Sequence, residues 1–227
     1  SALTGFTPAY GLHLAAERRP TVEVRVSARL SGQADWGALG MLVGRLAGDR
    51  IPLIVAEDRP GLEELKTFCA ALPTYGGASL FHLADVTPEA ERYGRPAGAL
   101  AISTAELRRT QAEARLGREA PDLVCLGCPH ASLTELLEVA AGLAGRTVAV
   151  DFWICTSRAV KALADDLGLT GVIEASGAMV VTDTCFVVAP LRGIKRSIAT
   201  NLAKGVFYAS GQSGLDTHLL PTAECVE

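Results

Sequence analysis

Short runs typical of β-strands alternate with longer segments of helical periodicity along most of this chain of 227 residues. Examples of the strand type are TVEVRVSARL (21–30), IPLIVAE (51–57), DLVCLG (122–127) and TVAVDFWIC (147–155). In such chains each strand is followed by a helix that packs back on the sheet, so that successive strands lie parallel. We therefore predict an α/β fold with a mostly parallel sheet.

Two helix starts carry the S-x-x-E pattern of a capping box. They are Ser103 with Glu106, and Ser132 with Glu135. In such a box the serine hydroxyl accepts a hydrogen bond from the glutamate N–H, and the glutamate carboxylate accepts one from the serine N–H. The first box begins the charged helix ELRRTQAEARLG, and the second begins the apolar helix LTELLEVAAGLAG.

Other segments are assigned from their residue types. The glycine-rich stretch at 37–44 predicts a helix that packs closely through small residues. The helix over 60–72 is predicted to bury Cys69 on its apolar stripe. We predict further β structure over 171–185, and a loop-rich tail from residue 190 around a short helix.

Composition excludes several classes of function. The net charge is −4, and no basic run or basic-aromatic pattern indicates a nucleic-acid partner. No apolar run approaches the roughly 20 residues of a membrane span. Six cysteines in a chain of this length do not indicate a disulfide scaffold, so we expect buried thiols or metal ligands.

Three turns in the second half carry polar or cysteine side chains where a predicted strand ends. They are GCPHAS (127–132), ICTSR (154–158) and TDTC (182–185). In open α/β sheets the ligand crevice lies at the carboxyl ends of the strands. The sequence therefore predicts a functional site that these turns share.

Each motif also has a structural interpretation. A thiolate at Cys128 is favoured by the start of a helix, whereas a buried thiol in a capping turn fits the same spacing. Cys125 lies inside the apolar run LVCL and is predicted to be a core thiol. Thr156, Ser157 and Arg158 suit a carboxylate or phosphate, or form a helix cap with a solvated arginine.

Taken together, the motifs resemble the aconitase X family over nearly the whole chain. The matching segments are TGFTPAYGLHL (4–14), DWGALGMLVGRLAGDRIPLI (35–54), FHLADVTPEA (81–90), DLVCLGCPHASLTEL (122–136), TSRAV (156–160), VVTDTC (180–185) and TNLAKGVFY (200–208). The resemblance implies a three-layer α/β/α, aconitase-like catalytic region over 1–227, with sub-lobes 1–118 and 119–227. It implies a cytoplasmic hydro-lyase that removes water from a small hydroxy acid, such as mevalonate 5-phosphate or cis-3-hydroxy-L-proline.

The resemblance also implies an iron site. It makes Cys128 and Cys185 two of three cysteine ligands to a 4Fe–4S or 2Fe–2S cluster or to mononuclear iron, with the third ligand outside this chain. Thiolates are soft ligands that suit such centres. The catalytic residues would be His130, Ser132 and Lys204. The substrate-binding residues would be Thr156, Ser157, Arg158 and Asn201.

Two features depart from the family pattern. The chain corresponds to the C-terminal part of the large subunit, so its expected partners are the N-terminal half of that subunit and a small swivel-type subunit or domain. In addition, Leu202 and Phe207 stand where members usually have a serine and a histidine. These departures leave a second hypothesis, a non-catalytic binding or scaffold remnant. A third hypothesis is a zinc-dependent hydrolase that uses Cys125, Cys128 and His130.

Overall fold

The computed structural model describes residues 1–115, 117 and 119–227. Helices and strands alternate, which confirms the predicted α/β class. Leu116, predicted to be helical, and the predicted lobe limit at residue 118 lie outside the described residues. The strands are β1 (Val22–Val26), β2 (Pro52–Val55), β3 (His82–Leu83), β4 (Ala99–Ile102), β5 (Leu123–Ala131), β6 (Asp151–Thr156), β7 (Met179–Thr182), β8 (Ser197–Thr200) and β9 (Asp216–Leu219). The helices are α1 (Gly32–Ala47), α2 (Leu62–Gly76), α3 (Thr104–Arg115), α4 (Leu133–Leu143), α5 (Arg158–Asp166), α6 (Leu169–Ala175), α7 (Ala203–Tyr208) and α8 (Thr222–Cys225).

The described strands form two parallel sheets rather than one. The first has the order β3-β2-β1-β4 and forms, with α1–α3, what we call the first unit. The second has the order β7-β6-β5-β8-β9 and forms, with α4–α8, the second unit. The division of the chain into lobes 1–118 and 119–227 remains a prediction.

Helices α1 and α2 pack closely through glycines, as predicted for 37–44. A Cβ atom added at Gly40 would lie 2.7 Å from the Ala71 Cβ, and one at Gly44 would lie 2.7 Å from the Leu72 carbonyl oxygen. This contact selects Phe68 and Ala71 for the buried face of α2. Cys69 therefore points outward and is exposed, so the prediction that it is a core thiol is wrong.

The second sheet carries an apolar layer on each face. Val124, Leu126 and Ile154 belong to the core that packs against α4, whereas Leu123 and Cys125 belong to a separate cluster on the other face. This alternation follows from the strand period of two residues.

Two predictions for the second unit need correction. The segment 171–185 contains most of α6 as well as β7, and the tail contains the strands β8 and β9. Strand β8 has only four residues, all buried, and its start is held by the Asp122 carboxylate, which accepts hydrogen bonds from the Arg196 and Ser197 N–H groups. Such a short strand depends on its neighbours, which a local sequence pattern does not report.

The two units meet where the strands of the second sheet end. Tyr75 on α2 donates a hydrogen bond to the Ala203 carbonyl oxygen on α7 at 3.0 Å. Met41, Ala71 and Val206 share an apolar cluster across the same contact. The carboxyl edge of the second sheet therefore lies against the first unit. In the described part of the chain, no helix is long and apolar enough to cross a membrane.

Candidate active site at the carboxyl edge of the second sheet

The segment 127–132, which we call the cysteine turn, forms the end of β5 and the start of α4. Its pairing with β6 shifts register between Leu126 and Ala131. Gly127 has a φ of +92°, and a Cβ atom there would overlap the Cys155 carbonyl group. A glycine is therefore required at this position, because any other residue would be strained and would collide with the neighbouring strand.

Cys128 and Cys185 lie in one cluster at this edge. Cys128 is buried, and Cys185 packs beside it as a partly buried residue. Burial, with a smaller contribution from the neighbouring Cys185, raises the pKa of the Cys128 thiol to about 12, although Lys204 acts to lower it. Without a bound metal ion, the Cys128 thiol is therefore protonated near neutral pH. A bound metal ion would favour the thiolate.

Cys125 and Cys155 form a second pair of thiols behind the first. Their Sγ atoms are 3.8 Å apart, and both side chains are buried. Burial raises the pKa of Cys125, whereas the hydrogen bond from Cys125 lowers that of Cys155. The prediction that Cys125 is a core thiol is confirmed by its complete burial.

The neighbouring thiols of Cys128 and Cys185 suit part of an iron–sulfur ligand set, since soft thiolates are the usual donors. Over the described residues, no group of three His, Cys, Asp or Glu side chains is placed to hold a metal ion. Cys125, Cys128 and His130 do not form the zinc ligand set of the third hypothesis. Cys128 and Cys185 would therefore supply only part of the ligand set of an iron centre.

His130 connects the cysteine turn to the turn that contains Cys185. Its Nε2 atom lies 3.0 Å from the Thr184 carbonyl oxygen. A carbonyl oxygen can only accept, so Nε2 is the protonated nitrogen and donates this hydrogen bond. In the neutral ring Nδ1 is then the nitrogen with a free lone pair.

Ser132 is the N-cap of α4 and confirms the predicted capping box. Its Oγ accepts a hydrogen bond from the Glu135 N–H at 3.2 Å, and its own N–H donates to the Glu135 carboxylate at 2.8 Å. The Ser132 hydroxyl also donates to Glu63 Oε1 at 2.7 Å. Ser132 therefore joins α4 of the second unit to α2 of the first.

Glu63 and Lys66 also belong to the site, although no motif in the sequence indicates them. Lys66 Nζ lies 3.0 Å from Glu63 Oε2 and 3.3 Å from the His130 carbonyl oxygen, and it also contacts the Glu135 carboxylate. A glutamate followed three residues later by a lysine is common on exposed helix faces. The sequence therefore gave no signal that these residues face a turn that lies more than 60 positions away.

Residues 156–158 occupy three different environments. Thr156 is fully buried, and its hydroxyl donates to the Ala131 carbonyl oxygen at 2.6 Å. Ser157 is the N-cap of α5. The Arg158 side chain is exposed and pairs with Asp183. Thr156 therefore ties β6 to the cysteine turn, whereas Arg158 remains accessible to a ligand.

Lys204 and Asn201 flank the end of β8. Lys204 is half-buried on α7, lies close enough to lower the pKa of Cys128, and makes no ion pair with any residue in the described ranges. Asn201 is buried; its Nδ2 donates to Thr222 Oγ1 at 3.1 Å, and its Oδ1 has no hydrogen-bond partner among the described residues. Both side chains are therefore placed at the same edge as Cys128.

A cleft of about 460 Å³ lies between the N-terminal ends of α1 and α2 and the part of the second unit that contains Glu138, Asn201 and residues 221–223. It has the size of a small-molecule site. It is lined by Ser31, Gly32, Gln33, Ala34, Glu63, Glu64, Glu138, Asn201, Pro221, Thr222 and Ala223.

The two unusual residues of the TNLAKGVFY segment differ in their environment. Leu202 is buried with 1% exposure at the N-cap position, where its side chain makes no capping hydrogen bond. Phe207 is 43% exposed, and its ring packs edge-to-face on Tyr75 and Tyr208. Each is an apolar group in the neighbourhood of Lys204.

Comparisons with known proteins agree with this architecture. The family model described as aconitase X second domain matches residues 20–115, and the model described as aconitase X third domain matches residues 121–227. The phosphomevalonate dehydratase large subunit of Methanothermobacter thermautotrophicus is 40% identical over 219 residues, which cover 95% of this chain and 55% of that protein. The cis-3-hydroxy-L-proline dehydratase of Hypocrea jecorina is 35% identical over 245 aligned positions, covering 100% of this chain and 41% of that protein.

Among solved structures, this chain is similar to the holo-form of Thermococcus kodakaraensis aconitase X. The TM-score is 0.90 at 34% sequence identity, over 97% of this chain and 57% of that one. The chain thus spans about half the length of the curated relatives that it matches.

Proposed function

The chain belongs to the aconitase X family, and from this premise we propose that it is part of a hydro-lyase that eliminates water from a small hydroxy acid. The observation that carries the proposal is the position of Cys128, Cys185 and Lys204 together at the carboxyl edge of the second sheet. The names of the relatives support the reaction class, since both types are dehydratases.

Cys128 and Cys185 are the proposed ligands from this chain to an iron centre, either a 4Fe–4S or 2Fe–2S cluster or mononuclear iron. The third ligand would come from outside the chain. When bound, such a centre with an open coordination position supplies a Lewis acid for the substrate hydroxyl.

The other side chains at this edge would bind the substrate and move its proton. Lys204 and Arg158 offer cations to a carboxylate or phosphate, and Ser157 and Asn201 add hydrogen bonds. His130 would accept a proton at Nδ1, because Nε2 is held by the Thr184 carbonyl group. Ser132 would orient the end of the cysteine turn through its hydroxyl group. Thr156 would stabilise the same turn through its hydrogen bond to the Ala131 carbonyl oxygen.

The proposed substrates are mevalonate 5-phosphate or a hydroxyproline. Four of the most similar relatives are named as large subunits of phosphomevalonate dehydratase, so we propose a small-subunit partner as well. The N-terminal half of the large subunit, which would carry the remaining iron ligand, is the second proposed partner. We propose a cytoplasmic location, which suits an oxygen-sensitive iron centre.

The test is iron and sulfide analysis of the full-length protein with its small subunit, purified anaerobically, followed by turnover assays on both substrate types. Cys128→Ser and Cys185→Ser are each expected to lose at least half of the iron and nearly all turnover. Cys69→Ser is the matched control, because Cys69 is exposed on α2. Absence of iron from the wild-type assembly, or unchanged turnover in both site variants, would contradict the proposal.

Leu202 and Phe207 favour one other candidate, a binding or scaffold remnant of the same fold. Leu202 is buried and Phe207 is partly exposed, and both are apolar where members usually have polar groups. This candidate predicts that the assembled protein binds a hydroxy acid without converting it. Any turnover that depends on Cys128 excludes it.

A further inference from the structure

We propose that Lys66 is a positioning residue that holds the cysteine turn in place from the first unit. The proposal rests on the proposed function of that turn as an iron and substrate site. Lys66 lies on α2, and its ammonium group contacts Glu63, Glu135 and the backbone of His130. Two of these three contacts belong to the second unit.

The charges around Lys66 explain why its loss would move the turn. The Glu135 side chain is 6% exposed and that of Glu63 is 19% exposed, so neither carboxylate is well hydrated. Lys66 is the cation between them, and a partly buried carboxylate that loses its cation is strongly destabilised. Glu138 on the next turn of α4 adds a further negative charge; burial raises its pKa, and Glu135 raises it further.

Both carboxylates hold Ser132. Glu63 accepts a hydrogen bond from its hydroxyl at 2.7 Å, and Glu135 accepts one from its backbone N–H at 2.8 Å. Gln33 on α1 donates to the other oxygen of Glu135 at 3.1 Å. A change at Lys66 would therefore reach the end of the cysteine turn through two separate hydrogen bonds.

The same ammonium reaches the second cysteine through His130. Lys66 Nζ donates to the His130 carbonyl oxygen, and the ring of that histidine donates to the Thr184 carbonyl oxygen. Thr184 directly precedes Cys185. Lys66 thus supports the segments that carry both proposed iron ligands.

The three contacts also argue against a catalytic role for Lys66. A lysine ammonium has three N–H donors, and here three oxygen atoms lie within reach of them. Two of these oxygens, on His130 and Glu135, accept hydrogen bonds, and Glu63 Oε2 forms an ion pair, so the ammonium group is held in the contact between the two units. Lys66 acts through the turn that it holds.

The experiment measures the reaction of each cysteine with iodoacetamide in metal-free, full-length protein, by peptide mass spectrometry. Lys66→Met is expected to accelerate alkylation of Cys128 by about fivefold or more, because local opening of the turn exposes a thiol that is now 4% exposed. Alkylation of Cys225, buried in another part of the second unit, is expected to stay within about twofold of wild type. A general loss of stability would accelerate the alkylation of Cys128 and Cys225 equally.

Three further variants distinguish the loss of the Lys66 charge from a general loss of stability. Lys66→Arg keeps the cation and should restore most of the protection. Lys66→Met combined with Glu63→Gln removes one carboxylate and keeps an acceptor for the Ser132 hydroxyl. This combined variant should recover part of the protection of Cys128 from alkylation. Lys161→Met is the matched control, because Lys161 forms an i,i+4 ion pair with Asp165 on α5, away from the turn. Lys161→Met should change the alkylation rate of neither Cys128 nor Cys225.

Unchanged alkylation of Cys128 in Lys66→Met, or equal acceleration of Cys128 and Cys225, would overturn the proposal. If Lys66→Met does not fold, the combined variant is decisive, and acceleration of Cys128 over Cys225 is still expected in it. Iron content is measured in parallel. Altered thiol rates in a protein whose wild type binds no iron would retain the positioning role and reject the proposed function.

Discussion

At the scale of single residues, burial decides what each cysteine can do. Cys128 is buried beside Cys185 and Lys204, whereas Cys69 is exposed on a helix and Cys125 lies in the core. The sequence correctly placed Cys125, because its neighbours in LVCL are all apolar. It misplaced Cys69, because α1 packs on a different stripe of α2 than the leucines of that helix indicate.

Leu202 gives a prediction at this scale. Leu202→Ala is expected to lower the free energy of unfolding by about 2–5 kcal/mol, as for other buried leucines. Leu202→Ser should be more stable than the alanine variant by about 1 kcal/mol, because a serine at this extended N-cap position can accept a hydrogen bond from α7. Urea unfolding of both variants measures the difference. A serine variant no more stable than the alanine variant would show that the position does not cap α7.

At the scale of helices and strands, the predictions that rested on local sequence motifs agree best with the structure. Both predicted capping boxes are present. The glycine-rich helix packs through its small residues as expected. Strands β8 and β9 were missed because they are short and are defined by the strands beside them.

The capping box of α3 predicts a pH-dependent effect. The hydrogen bond from the Ser103 hydroxyl lowers the pKa of Glu106 below its ordinary value of 4.5. A lowered pKa in the folded state stabilises the protein above the unfolded-state value, and this contribution disappears as the pH falls through the folded-state value. Ser103→Ala should therefore be less stable than wild type at pH 7, by a margin that shrinks below about pH 4. Chemical unfolding at several pH values checks this, and a margin that is constant with pH would contradict it.

Two glycines in helices are expected to respond in opposite directions to the same change. Gly40→Ala places a Cβ atom 2.7 Å from that of Ala71 and should cost about 1–3 kcal/mol through overpacking. Gly171→Ala in α6 meets no atom within 4 Å, so it should stabilise by about 0.5–1 kcal/mol through reduced backbone entropy. Thermal unfolding of the two variants measures both effects. Equal effects of the two changes would mean that α1 and α2 pack less closely than described.

At the scale of the whole molecule, the candidate site exists because two α/β units meet. The first unit supplies Gln33, Glu63 and Lys66, and the second supplies the cysteine turn. Ligand sites commonly lie at the junction of two such units. The chain spans about half of its relatives, so the proposed enzyme would add further parts to this same edge.

Tyr75 provides a prediction for the contact between the units. Its hydroxyl donates to the Ala203 carbonyl group, and burial raises its pKa to about 12. Tyr75→Phe should cost about 1–3 kcal/mol, because the carbonyl group of the buried Ala203 loses this hydrogen bond. Hydrogen exchange should increase in α7 but not in α5, which lies on another part of the second sheet. An equal increase in the exchange rates of α7 and α5 would show that Tyr75 does not hold the units together.

The sequence by itself determined the α/β class, the starts of α3 and α4, the core position of Cys125 and, through the resemblance, the family. These depend on residues that are neighbours along the chain, or on motifs read as units. Only the tertiary structure placed Lys66 and Glu63 beside Ser132, exposed Cys69 and separated the strands into two sheets. Glu63 and Ser132 are 69 positions apart, and a contact over that separation is set by how helices pack on sheets, which no local pattern of residues records.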